Sequence, residues 1–96
     1  MKPTPPAETL LLNNRRVRVW EMVLRPGQSY PFHRHRHPYL SIMLEDATVV
    51  MTDEHGREER LRVRTGDVVW RTPPDDHSVR NVGSTRFRNR LVELLR

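Results

Sequence analysis

Two histidines in this chain, His33 and His35, stand two residues apart. On an extended strand, residues in that relation project from one face about 6.5–7 Å apart, so their imidazoles can turn toward one ion. Two residues of one strand cannot close a coordination sphere, and a third ligand has to come from elsewhere. His77 is the evident supplier: it follows the turn Thr72–Asp76 and opens the run His77-Ser78-Val79-Arg80-Asn81, which brings it in from a different strand. Imidazole nitrogen accepts several ions, so the expected cofactor is one divalent metal, with iron, zinc, nickel, manganese and copper all open. His-x-His alone is a weak signal, and a lone histidine is more often structural than a ligand.

The elements that must hold these side chains are strands. From Thr9 onward the apolar runs are short, rich in valine and bounded by turn residues, which is the pattern of an all-β domain. Strands are expected at Leu10–Leu12, Val17–Leu24, Tyr39–Leu44, Ala47–Thr52, Glu58–Arg64, Asp67–Trp70, His77–Val82 and Arg86–Leu94. Between most of them lie breakers such as Pro26-Gly27, Thr65-Gly66, Thr72-Pro73-Pro74 and Gly83-Ser84. Asp53-Glu54-His55-Gly56 reads as a hairpin loop in which Gly56 supplies a positive φ and His55 sits at the tip in water. Residues 1–8, with prolines at positions 3, 5 and 6, read as an extended N-terminal arm or frayed end, and residues 9–96 as a single domain.

Composition narrows the function classes. The chain contains no cysteine, which excludes disulfides, thiolate metal sites and cysteine nucleophiles. No stretch approaches the roughly 18 apolar residues that span a bilayer, and no secretory leader pattern opens the chain, so no membrane association and a cytoplasmic location are expected. The formal charge of +5 raises nucleic acid as a partner. Its placement argues otherwise, because Arg60, Arg62 and Arg64, then Arg86, Arg88 and Arg90, alternate with apolar residues such as Leu61, Val63 and Phe87, as on a half-buried strand. A chain of 96 residues is near the lower end of what folds alone, and both rows of the strand Tyr39–Leu44 read as buried. A homodimer covering the row Leu40, Ile42 and Leu44 is therefore expected.

Taken together, the motifs resemble those of the cupin superfamily. Its first motif runs from a glycine through five residues to His-x-His, and maps onto Gly27, His33 and His35; its second, ending in histidine, three residues and asparagine, maps onto Gly66, His77 and Asn81. The match covers nearly the whole chain from Val17 and implies an antiparallel double-stranded β-helix, the cupin jelly-roll barrel. The departures are specific. Tyr39 or Leu40 occupies the first motif's glutamate position, Asp46 replaces its closing glycine, and Thr72 and Pro74 replace the second motif's proline and inner glycine.

Without the carboxylate the resemblance implies a neutral three-histidine site, similar to that of the cupin dioxygenases that use ferrous iron. Such an ion keeps its full charge, which favours a small anionic molecule as ligand or substrate. Tyr39 is then the candidate catalytic residue, bonding to water or substrate, and no residue stands out as a general base. His37 shares the parity of His33 and His35 and is a candidate for the pocket mouth. Trp20, Met22, Met43 and Trp70 are candidate pocket walls or core filling, and Asn81 either orients a ligand histidine or holds a turn. The alternative to an enzyme is a non-catalytic module that binds or senses a small molecule or metal.

Overall fold

The computed structural model describes residues 4–95 and contains nine strands, with no helix among those residues. They are β1 (Thr9–Asn13), β2 (Val17–Leu24), β3 (Ser29–His33), β4 (Tyr39–Met43), β5 (Ala47–Asp53), β6 (Glu58–Val63), β7 (Val68–Arg71), β8 (His77–Asn81) and β9 (Phe87–Leu94). All pairings are antiparallel. One sheet has the order β1-β2-β9-β4-β7 and the other β3-β8-β5-β6. The two sheets face each other as a jelly roll, which is the expected double-stranded β-helix. With no helix among the described residues, none is long and apolar enough to cross a membrane.

Alternation decides which side chains enter the space between the sheets. Along β9, Phe87, Asn89, Leu91 and Glu93 are buried while Arg88, Arg90, Val92 and Leu94 are not. Across the pairing, Met22 lies opposite Asn89 and Leu24 opposite Phe87, so β2 and β9 deliver one continuous inner surface. Met22, Leu24, Met43, Val49, Val63 and Phe87 form the core between the sheets. The arginine rows behave as alternation requires, with Leu61 and Val63 turned in from β6 while Arg60 and Arg62 are exposed. On β9 and beside it, Arg88 and Arg90 both engage Glu21, and Arg86 engages Glu45. The β5–β6 hairpin turns at Gly56, whose φ is 80°.

One expectation needs correction. Beyond the extended placing of His33 and His35, no strand was bounded between Leu24 and Tyr39, yet β3 pairs with β8 at the edge of its sheet. Pro31 lies inside it, and an edge strand tolerates the missing N–H. Of the N-terminal arm, residues 1–3 lie outside the described residues, as does Arg96 at the other end. The residues that follow are tied to the barrel. Ala7 is fully buried in the core, Pro5 carbonyl oxygen accepts a hydrogen bond from Tyr30 Oη at 2.9 Å, and Glu8 Oε1 accepts one from Val23 N at 2.6 Å.

Candidate metal centre

His33 ends β3 and lies directly opposite His77, the first residue of β8. Between Tyr30 and His33 the register slips, with three steps on β3 matching two on β8, as in a bulge. That slip sets the two imidazoles side by side with ring centroids 4.8 Å apart. His35 arrives differently from the expectation: it lies beyond the end of β3, in the irregular segment before β4, so strand parity does not place it. Its ring is held instead by stacking on Tyr39, centroids 4.1 Å apart and planes 24° apart.

The three Nε2 atoms converge. His33 Nε2 is 3.0 Å from His35 Nε2, which is 3.3 Å from His77 Nε2. Imidazole nitrogens about 2.0–2.1 Å from a shared ion stand roughly 3.0–3.4 Å apart, so the spacing suits a common ligand centre. The tautomers suit it as well. Pro31 carbonyl oxygen stands 2.9 Å from His33 Nδ1, and Asp75 Oδ1 stands 3.2 Å from His77 Nδ1. Both are acceptors only, so each holds the ring proton at Nδ1 and leaves Nε2 as a bare lone pair. His35 Nε2 can carry a proton toward only one of them. Its Nδ1 is buried with no hydrogen-bond partner among the described residues.

Protonation does not resolve this crowding. Burial, opposed only in part by the Pro31 carbonyl, lowers His33 to about 4. Burial and the neighbouring His33 and His77 lower His35 to about 3. At neutral pH these two rings stay uncharged, the form that binds a metal. A divalent cation between the Nε2 atoms would satisfy all three lone pairs, so the donor set fits the metal expected from the sequence.

A carboxylate that sequence reading overlooked organises the site. Asp75, on the loop between β7 and β8, accepts a short hydrogen bond from Tyr39 Oη through Oδ2, while its Oδ1 faces His77 and lies 3.6 Å from Arg71 Nη1. Burial pushes this carboxyl upward, but the bonds to His77 and Tyr39 outweigh that and hold it at about 2. Tyr39 is pushed up, first by burial and then by Asp75, so its phenol stays protonated. The available signal was local: a carboxylate two residues before a candidate ligand, on the same approach to β8.

A cavity of about 640 Å³ opens beside the histidines and includes Met22, Met43, Tyr39 and Arg71 in its wall. The remaining candidates separate. Trp70 touches the cavity but is 52% exposed. Trp20 donates from Nε1 to Glu93 Oε1 at 2.6 Å and, with half-buried His37, lines a different, smaller cavity. Asn81 bonds to none of the three histidines. Its Nδ2 donates to Leu24 and Thr85 carbonyl oxygens at 2.9 and 2.7 Å, and its Oδ1 accepts from Gly83 N at 3.0 Å, so it holds the turn after β8.

No family model and no curated protein matches the chain. Solved structures do. A cupin domain from Bordetella pertussis Tohama I superposes with a TM-score of 0.84 at 24% identity, covering 98% of this chain and 97% of its own. A double-stranded β-helix protein from Klebsiella pneumoniae gives 0.73 at 20% identity, over 97% and 81%. The polyketide cyclase RemF from Streptomyces resistomycificus gives 0.65 at 20% identity, over 86% of this chain and 57% of the cyclase. With two facing antiparallel sheets and a histidine cluster between them, this chain has the cupin fold.

Proposed function

We propose that the chain binds one divalent metal ion on Nε2 of His33, His35 and His77 and acts on a small anionic molecule in the adjoining cavity, with oxygen-dependent oxidation as the chemistry. The convergence of three imidazoles whose protons are held on the far side, at His33 and His77, carries this reading. The bound ion supplies a Lewis acid and, as iron, the redox capacity that oxidation by dioxygen requires. The protein's own contribution is positional. Asp75 orients His77 and fixes the Tyr39 hydroxyl, Tyr39 backs His35, and Arg71, paired with Asp75 and Glu59, fixes the carboxylate side of the cavity wall, so the attraction for an anion rests on the bound ion. Apolar side chains such as Met22 and Met43 limit water there.

One observation favours the non-catalytic alternative, a binding or sensing module. Asp75, the carboxylate at the histidines, is engaged by His77, Tyr39 and Arg71 and held at about 2, which makes it a weak base for a substrate proton. Elemental analysis of untagged protein followed by oxygen uptake with small carboxylic acids and diketones decides. One metal per chain with oxygen consumption supports the enzyme, one metal without consumption supports the binder, and a chain that cannot be loaded ends both.

The same reading includes a homodimer. Register partners Leu12, Val19, Val92, Leu40 and Trp70 form an unbroken apolar row across all five strands of the first sheet. Leu12 and Trp70 are about half exposed, at 50% and 52%, and Val68 beside them is 59% exposed. A second copy covers such a row by the symmetry of like against like. Light scattering should give twice the chain mass, and Trp70→Lys should reduce it to one; a monomeric wild type rejects the dimer.

A further inference from the structure

We infer that Asn89 and Ser41 form a second recognition point in the cavity, taking the neutral hydrogen-bond-donating end, a hydroxyl group, of a ligand whose anionic end lies at the histidines. This rests on the metal reading above and adds a requirement on the other end of the ligand.

Asn89 is 5% exposed and Ser41 6%, and both line the same cavity as the three histidines. Asn89 Nδ2 donates to Ser41 Oγ at 2.8 Å, and the Ser41 hydroxyl is directed at Met43 Sδ, 4.0 Å away. Asn89 Oδ1 is buried and has no hydrogen-bond partner among the described residues. Its cross-strand neighbours are Met22 and Met43, which offer no donor side chain. A buried acceptor in that position is destabilising unless something donates to it, and an ordinary core would place an aliphatic residue there, as the next inward position on β9 does with Leu91.

The placement sets the distance. Ser41 is one same-face step along β4 from Tyr39, about 7 Å, and the Tyr39 ring stacks on His35. A ligand reaching both points is therefore extended and carries unlike ends, one binding the metal and the other donating to Asn89 Oδ1. Apolar contacts with the two methionines flank the second end, so a donor is accepted there while a second charge is not.

The test uses cobalt-loaded protein and matched pairs of acids in which a terminal hydroxyl replaces a methyl: 3-hydroxypropanoate with butanoate, 4-hydroxybutanoate with pentanoate, and 5-hydroxypentanoate with hexanoate. Binding is followed by the cobalt visible spectrum and by calorimetry. At one chain length the hydroxy acid should bind at least as tightly as its partner. Asn89→Leu should move that ratio about tenfold toward the methyl-ended acid, still with one cobalt per chain. Asn89→Thr, which keeps a neutral acceptor, should retain the hydroxyl preference and guards against a leucine variant that fails to fold. A methyl preference in the wild type at every length, or the same ratio in Asn89→Leu as in the wild type, overturns the inference while leaving the metal site standing. Failure to bind cobalt removes the metal reading and this inference with it.

Discussion

Asn81 and His77 are buried polar residues at opposite ends of β8, yet Asn81 and the histidine cluster around His77 are built on opposite terms. Asn81 is fully enclosed and uses its amide nitrogen twice and its oxygen once, all on backbone groups. The histidines are equally buried, at 2%, 3% and 5% exposure, but their Nε2 lone pairs crowd together and His35 Nδ1 has no partner among the described residues. A buried polar residue with its hydrogen bonds complete is doing structural service. One whose acceptors are turned on each other is arranged for something that binds there.

That contrast can be broken first at the histidines. Replacing His35 with alanine should lower metal affinity at least about a thousandfold, on the order of 4 kcal/mol, measured by competition with a chelating dye. The metal-free variant should lose less stability than an Asn81→Ala variant, because the stacking on Tyr39 that goes is offset by removal of the crowded Nε2 and the unpartnered Nδ1. At the other end of β8, Asn81→Ala should cost about 3 kcal/mol of unfolding free energy in urea, since it strands two carbonyls and an N–H in the interior. The folded fraction should still bind one metal. An Asn81 variant that folds normally, or a His35 variant as unstable as that expected for Asn81, would erase the distinction.

Smaller effects sharpen it. Asp75→Ala should weaken metal binding by roughly 10–100-fold, the range for a group that orients a ligand histidine, without changing the stoichiometry. For the metal-free protein, pH provides a further reading. His33 and His35 are depressed to about 4 and about 3 from an ordinary value of 6.5, so below 6.5 the unfolded chain takes up protons that the folded one refuses. Their contribution is complete above pH 6.5 and is lost as pH falls toward 4 and 3, at roughly 1 kcal/mol per pH unit for each ring. Urea midpoints between pH 7 and 4 measure it, and His33→Gln/His35→Gln should flatten the slope. The smallest effect belongs to the surface: Arg90→Ala, breaking a pair with Glu21 at 2.7 Å, should cost under about 1 kcal/mol and shrink with added salt.

Most strands were legible because their two faces differ. β2 runs from Val17 to Leu24 as expected, and the other seven expected strands agree within one or two residues at each end. β3 was missed because Pro31 interrupts a run that would otherwise read as Ser29–His33, and a proline's tolerance depends on the strand being an edge, which is a fact about neighbours. His33 and His35 were found by their spacing, although strand parity is not what joins them. Asp75, Asn89 and Ser41 carried no motif. Their roles arise from what faces them across the barrel, and the role of Trp20 changed for the same reason once Glu93 was seen to accept from its indole.

The order of apolar and polar residues determined that this chain forms short antiparallel strands, and the types and spacing of its histidines determined which chemistry was available, because both are properties of neighbours along the chain. Only the folded barrel decided that three imidazoles share a centre, that Asp75 holds Tyr39 and His77, and that Asn89 ends without a partner. Each of these depends on groups tens of residues apart meeting at hydrogen-bond distance, and that meeting is set by sheet register and by the bulge in β3 rather than by any local run of residues.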